Sequence, residues 1–261
     1  MVCTSPSSLA EASKRRMKHQ LLVNVKSHFP TQYSQATYFG KLRNLLDSMS
    51  ISQREVFKKL PWGHFAKIPE FQLSGQIVHM LLLWLVRQQP VDKLWFSIRG
   101  KIFKFMFKDF CEIINLSAYT IKPTFVKKNE KGSVANIFFK GNKRVSYQEL
   151  KDAIEAVNPK KRIDTLAFVK LTSLFVVDGV LLTRDHDTKI NADHFDWVED
   201  FENFQKYPCA LESYNLMVSN LKSLIRGQPE KFEAVLAKNP GYKNAKFTVW
   251  SLPHVLQGLG V

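Results

Sequence analysis

A stretch of seventeen residues, RDHDTKINADHFDWVED at positions 184–200, holds the side chains best suited to chemistry. It contains two histidines, five aspartates and one glutamate, in a chain of 261 residues with a net charge of +15. Carboxylates and imidazoles together can bind a metal ion, or act as a general acid and base. The same carboxylates can instead begin a helix, where exposed backbone N–H groups favour negative charge.

The spacing of these residues favours a helix start over a metal site. Asn191 is a good N-cap. The acidic residues in the first turns after it are Asp193, Asp196, Glu199 and Asp200. A buried face follows at three- and four-residue steps, formed by Phe195, Val198, Phe201 and Phe204. His186 and His194 are eight residues apart, and Asp185 and Asp187 lack the glycine and the distant glutamate of a calcium loop. We therefore expect no metal, no cofactor and a solvated acidic helix start.

Catalytic motifs are absent from the whole sequence. It has no GxxxxGK[ST], no GxGxxG after a strand, no GxSxG and no CxxC. Cys111 and Cys209 could be nucleophiles beside a histidine, although free cysteine is more often a small buried hydrophobic residue. Asp178 lies in the apolar run VVDGVLL. It is either an acid with a shifted pKa or, more commonly, a partner in an ion pair or hydrogen bond. We expect no catalytic activity and no small-molecule substrate.

Charge is distributed unevenly along the chain. Residues 91–163 hold 16 Lys and Arg against 7 Asp and Glu, a net charge of +9, whereas residues 164–212 hold 4 against 10, a net charge of −6. A concentrated basic segment is typical of a protein that binds a polyanion, and a lysine-rich surface that only confers solubility is the alternative. The candidate phosphate contacts are Lys127, Lys128, Lys131, Lys140, Lys143, Arg144, Lys160, Lys161 and Arg162. The interleaved aromatic residues, which could stack on bases or pin the loop to the core, are Phe125, Phe138, Phe139 and Tyr147.

The patterning predicts an α+β protein that is predominantly α. Apolar residues alternate on both sides of Arg99-Gly100, which predicts one β-hairpin at about residues 94–107. Helices are predicted at residues 34–48, 53–60 behind a Ser52/Glu55 capping box, 75–88 behind Ser74, 108–116, 165–182, 192–204 and 211–225, with a further helix behind a Ser146/Glu149 capping box. A short strand is predicted at residues 137–139. The nearly all-apolar helix at 165–182 should be central and buried.

Three segments make up the expected domain organisation. Residues 1–30 form a flexible basic arm, residues 31–226 form a single helical domain with the hairpin and a basic loop at 119–145, and residues 227–261 are a C-terminal extension or the truncated end of that domain. The arm carries a candidate nuclear-import cluster, Lys14, Arg15, Arg16 and Lys18. The chain shows no secretory signal, and its longest apolar run, residues 77–86, is too short for a membrane span.

Three stretches of the sequence resemble a plant domain family of unknown function, DUF1985. They are LWFSIRGKIFKFMFKDFCEIINL, DTLAFVKLTSLFVVDGVLLTRDHDTKI and HFDWVEDFENFQKYP. They match the family's F-x-x-x-G-K-x-x-x-F hairpin and its D-x-x-x-F-x-x-Y-P-W-G turn, although Cys209-Ala210 replaces the Trp-Gly of that turn. They also resemble its F-V-x-G-V-L helix, where FVVDGVL has one residue more. The resemblance covers about residues 33–225 and is only faint in the last forty residues.

The resemblance implies a fold and an association with transposons. Members of the family occur in Mutator-like elements or genes derived from them, often fused to an Ulp-type SUMO-protease domain, whose His, Asp and Cys arrangement is absent here. Related transposon proteins are thought to bind the DNA of their own element and counter its silencing. We therefore expect a nuclear, or otherwise cytoplasmic, non-catalytic module that binds DNA through its basic surface. The alternative is a protein-interaction or targeting module, with chromatin or SUMO-pathway proteins as partners.

Overall fold

Helices make up most of the computed structural model, together with two small sheets. The part of the chain that it describes comprises residues 20–24, 28–35, 39–68, 73–125, 132–157, 162–184 and 189–259. The helices are α1 (Phe39–Ser48), α2 (Ile51–Phe57), α3 (Gly75–Leu83), α4 (Phe107–Ile114), α5 (Val134–Phe139), α6 (Tyr147–Ala156), α7 (Arg162–Val176), α8 (Ala192–Trp197), α9 (Phe201–Phe204), α10 (Cys209–Ile225) and α11 (Gln228–Lys238). The strands are β1 (Thr31–Gln35), β2 (Leu94–Ile98), β3 (Lys101–Phe105) and β4 (Ala245–Val249). The expected class, α+β and predominantly α, is confirmed.

Helix α7 lies at the centre of the core. Every residue from 168 to 181 is buried, and α7 packs against α2, α5 and α6. This all-round burial is what its nearly continuous apolar sequence predicts. The helix predicted at residues 165–182 is therefore central, but its last turn, Val177–Leu181, is π-helical. Single π-helical turns within α-helices occur frequently at functional sites, which directs attention to the end of α7.

The β-hairpin is confirmed, with strands β2 and β3 joined by Arg99 and Gly100. Both turn residues have left-handed backbone, with φ of 48° and 77°, as the two-residue turn of a twisted hairpin requires. Leu94, Phe96 and Ile98 face the core. Single bridges connect Phe96 to Leu85 and Val86 to Leu21, so β2 also has a neighbour on its other side. Within the described residues β3 pairs only with β2 and forms an edge.

Local capping signals fix most helix starts. The Ser146/Glu149 capping box and the Ser74 N-cap are present as predicted. The capping box predicted for Ser52 and Glu55 is wrong, because Ser50 and Gln53 form it instead, with the Gln53 Oε1 accepting from the Ser50 N–H at 2.8 Å. Gln53 is buried, and its Nε2 donates to the Val157 carbonyl oxygen at 2.8 Å. Packing against the end of α6 therefore selects the earlier cap.

The strand predicted at residues 137–139 is wrong, because these residues belong to α5. The Ser133 hydroxyl accepts from the Asn136 N–H at the start of this helix. Lys140 and Gly141 end it with left-handed backbone, at φ of 52° and 79°. Val134 packs in the core beside α7, whereas Ile137 is 56% exposed. Capping and packing here override the strand preference of isoleucine and phenylalanine.

Other predicted helices change at their ends because long-range pairing competes with them. The helix predicted at 34–48 begins only at Phe39, because residues 31–35 pair as β1. The helix predicted at 75–88 ends at Leu83, because Leu85 and Val86 form the bridges to Phe96 and Leu21. The helix predicted at 192–204 is divided into α8 and α9 by a turn at residues 198–200.

The C-terminal segment joins the start of the domain. β4 pairs in parallel with β1, with Thr31 opposite Ala245. The stretch before β4 contains α11. Residues 251–256 are buried, and the Ser213 and Ser251 hydroxyls are 2.6 Å apart in the interior. Residues 227–259 therefore contribute to the same core as α10.

Candidate functional site

Few of the predicted phosphate contacts fall on described residues. Those outside them are Lys127, Lys128, Lys131, Lys160 and Lys161, together with the import candidates Lys14, Arg15, Arg16 and Lys18. Arg162 begins α7, and its side chain is not described. Lys140 and Arg144 follow α5 and are exposed. Lys143 is half-exposed, and its Nζ lies 2.7 Å from Asp196 Oδ1. Of these three described side chains, Lys143 is therefore paired with a carboxylate of the acidic segment, residues 164–212.

Residues of the acidic segment also contact the chain on both sides of the undescribed part of the basic loop. Before the undescribed residues 126–131, Phe125 stacks on Trp197 with ring centroids 5.0 Å apart, and Lys122 Nζ lies 3.5 Å from the Trp197 ring centroid. After them, the Val134 N–H donates to Glu199 Oε1 at 2.7 Å. Of the interleaved aromatic residues, Phe125 thus pins the loop to the core, and Tyr147 is buried.

Glu199 and Asp200 are not part of a solvated helix start, which corrects the sequence interpretation. They are 8% and 7% exposed. Glu199 Oε2 lies 2.5 Å from the Nζ of Lys170, a buried residue of α7. Asn191 does cap α8 as predicted, accepting from the Asp193 N–H. The acidic charge was read as solvated because its partner, Lys170, stands 29 residues earlier in an apolar helix.

The hairpin carries three exposed cations that are not among the predicted phosphate contacts. Arg99, Lys101 and Lys104 are exposed, and no carboxylate of the described chain forms a salt bridge with any of them. Lys104 Nζ lies 4.8 Å from the Trp95 ring centroid on the facing strand. Phe103, 43% exposed, adds an aromatic face. The sequence signal for these charges is the pair of lysines in KIFKF, which are three residues apart and therefore lie on opposite faces of β3.

A second group of polar residues lies in the interior at the end of α7. Asp178 stands in the π-helical turn, with its oxygens 2.9 and 3.1 Å from His194 Nδ1. The Tyr207 hydroxyl donates to Glu212, so its oxygen accepts from His194 Nε2–H at 3.3 Å. Two carboxylates are thus joined through an imidazole and a phenol.

Burial controls the acidity of this group. It raises the pKa of the Asp178 carboxyl, while the adjacent His194 and the Asn191 N–H act in the opposite direction. It also raises the pKa of Tyr207, and the carboxylate of Glu212 adds to that increase. The interpretation of Asp178 as a paired carboxylate is confirmed. The sequence does not identify His194 as its partner, because the two are 16 residues apart and lie on different elements.

The remaining candidate catalytic residues lack support. Cys111 and Cys209 are buried free thiols, and burial raises their pKa to about 11 and about 12. Both are therefore protonated at neutral pH and poor nucleophiles. His186, Asp185 and Asp187 lie outside the described residues. Elsewhere, no group of three His, Cys, Asp or Glu is placed to hold a metal ion.

We predict that Gly179→Ala destabilises the fold by about 1–3 kcal/mol, as overpacking in a core does. A Cβ at this position would lie 2.9 Å from Tyr147 Cε1. The Tyr147 ring is buried, and its hydroxyl donates to the Asp178 carbonyl oxygen at 2.7 Å, so the ring cannot easily move away. Urea denaturation measures the change. Gly40→Ala is the control, because a Cβ there meets nothing within 4 Å. Equal stability of the two variants would contradict this packing.

Comparison with known proteins identifies one relationship. A model of the family described as "Domain of unknown function (DUF1985)" matches residues 82–220, slightly more than half of the chain. These residues include the hairpin, α7, the acidic segment and most of α10. No curated protein and no solved structure shows significant similarity. Within the described chain, no helix has the length and apolar character needed to cross a bilayer.

Proposed function

Because the chain belongs to the DUF1985 family, whose function is unknown, we propose a function from its surface: it binds DNA through the basic hairpin β2–β3. The observation that carries the proposal is a set of three exposed cations on one two-stranded element, Arg99, Lys101 and Lys104, which form no salt bridge within the described chain. Such cations neutralise phosphates and release counterions. A two-stranded ribbon also has dimensions that the major groove of DNA admits.

The acidic segment does not cancel this basic surface. Three of its carboxylates are directed inward: Asp178 to His194, Glu199 to Lys170, and Asp200 to a buried position beside α9. Asp196 is occupied by Lys143. The sequence therefore overstates how much negative charge faces solvent.

A second contribution comes from the basic segment at residues 119–145. Lys140 and Arg144 are exposed there, and Lys127, Lys128 and Lys131 belong to the same stretch of sequence. We propose that they add phosphate contacts without reading the bases. The transposon association implied by the resemblance supports a nuclear, non-catalytic role in regulating or protecting the element from silencing.

The test is charge reversal on the hairpin, in the triple variant Arg99→Glu, Lys101→Glu and Lys104→Glu. Affinity for a duplex, measured by fluorescence anisotropy over a series of salt concentrations, should fall by about one to two orders of magnitude. The slope of log affinity against log salt should flatten by about three units, because roughly one counterion is released per phosphate contact. Lys127→Glu, Lys128→Glu and Lys131→Glu together should act in the same direction.

The matched control carries the same change in net charge on another element. Lys231, Lys238 and Lys243 are exposed on and after α11, and their reversal should leave the hairpin contacts intact. Equal weakening by both triple variants would show that only overall charge matters. No weakening by the hairpin variant would reject the hairpin as the DNA surface.

A protein-interaction module is the second candidate, and exposed apolar side chains favour it. In the extended segment after α4, Ile121 is 82% exposed and Tyr119 is 44% exposed. Such residues suit a protein partner, including chromatin or SUMO-pathway proteins. This candidate predicts that the wild-type protein binds DNA no better than non-specific proteins do, with a Kd of about 10⁻⁴–10⁻⁶ M at physiological salt. A tighter, hairpin-dependent Kd would favour DNA binding.

A further inference from the structure

A polar cavity opens beside the buried Asp178 group, and no hairpin residue lines it. Its volume is about 350 Å³. Two carboxylates, Asp178 and Glu212, and two cations, Arg184 and Lys189, line it. Leu182 and Leu216 supply apolar wall. The volume is at the lower end of the range for small-ligand cavities, which suits a ligand of a few heavy atoms.

The charged groups of this cavity differ in how far they are already satisfied. Asp178 is paired with His194, and one oxygen of Glu212 accepts from Tyr207. The other oxygen of Glu212 has no hydrogen-bond donor among the described residues. Arg184 and Lys189 form no salt bridge within the described chain, although Arg184 lies 6.0 Å from the Trp250 ring centroid and Lys189 acts on Glu149 through space. Among the residues that the structure describes, one acceptor and two cations are therefore available.

We propose that this cavity binds a free amino acid as its zwitterion. Arg184 and Lys189 would hold the carboxylate, and the available oxygen of Glu212 would accept from the ammonium group. A ligand with a single charge matches this cavity less well, because an anion alone meets Glu212 and a cation alone meets Arg184 and Lys189. A neutral apolar ligand would remove water from all three charged groups and offer no partner in return.

The test uses the whole chain and the standard amino acids, each added singly. Sodium acetate and methylammonium chloride at the same concentration supply each charge alone. At a hundredfold excess over Kd, at least one amino acid should raise the Tm by about 5 °C, and neither salt should do so. Isothermal titration then gives its affinity. If no amino acid raises the Tm beyond the two salts, the proposal is wrong and the polar group serves only to hold the fold.

Substitutions then locate the binding. Lys189→Gln and Arg184→Gln should each lower the affinity for the amino acid by about tenfold, since each removes a charge-assisted hydrogen bond. Lys238→Gln on α11 makes the same change in net charge and should leave the affinity unchanged. Glu212→Gln should also weaken binding. Because Glu212 accepts a hydrogen bond from Tyr207, the Glu212→Gln variant could be unstable. In that case the test relies on Lys189→Gln, because Lys189 is exposed. Unchanged affinity in both Lys189→Gln and Arg184→Gln would overturn the proposal.

Discussion

Replacing Glu199 with alanine is expected to lower the free energy of unfolding by about 3–5 kcal/mol, the usual loss when one member of a buried ion pair is removed. The Lys170 ammonium, 8% exposed, would lose its partner at 2.5 Å. The Val134 N–H would also lose its acceptor at 2.7 Å. The loss is large because a charge and a backbone donor would both stay buried without partners. Urea denaturation followed by circular dichroism measures it.

A matched carboxylate on the surface provides the control. Glu202 pairs with Lys206 at 3.4 Å, but its side chain is 85% exposed, so Glu202→Ala should cost within about 0.5 kcal/mol. The double variant Lys170→Met and Glu199→Gln should recover most of the lost stability, because no unpaired charge then remains in the core. If Glu199→Ala costs no more than Glu202→Ala, the pair is not buried as described.

The elements that the sequence predicts well are those that local signals define. The hairpin depends on alternation around Arg99-Gly100, and the start of α6 depends on residues three apart, Ser146 and Glu149. The central position of α7 depends on its own composition. Each of these signals lies within one element, so no knowledge of distant contacts is needed to recognise it.

The elements that the sequence predicts poorly depend on partners far along the chain. The helix prediction at 34–48 includes the last two residues of β1, because the strand's partner, β4, lies more than two hundred residues later. Residues 137–139 have strand propensity, but their capping by Ser133 and packing on α7 decide for a helix. Alternation and propensity carry no information about such contacts.

The candidate site divides in the same way. The uneven charge is visible in the sequence, and so is the pairing of Asp178 with some partner. The identity of the partners is not visible, because His194 and Lys170 reach their carboxylates only through the packing of α8 and the following turn against α7. Two residues of the acidic stretch that first suggested a metal site, His194 and Glu199, therefore form buried pairs, and Glu199 also accepts from the Val134 N–H after the basic loop.

Acidification should destabilise the protein through His254, by about 3 kcal/mol between pH 6.5 and pH 4. This side chain is 8% exposed in the turn Pro253–Leu259, and burial lowers its pKa from 6.5 to about 4. Below pH 6.5 the unfolded chain binds a proton at His254 while the folded chain does not, so stability falls as the pH is lowered. The loss is complete near the folded pKa, and each pKa unit corresponds to about 1.4 kcal/mol.

The variant His254→Gln isolates this contribution, because glutamine is polar and does not titrate. Protonation of carboxylates also affects stability at acid pH, so the informative quantity is the difference between the wild-type loss and the variant loss from pH 7 to pH 4. We expect the variant to lose about 3 kcal/mol less than the wild type. His64→Gln, at a half-buried histidine 2.7 Å from the Ile114 carbonyl oxygen, is the control for replacing a histidine. If His254→Gln and the wild type lose equal stability on acidification, His254 is not held neutral by the fold.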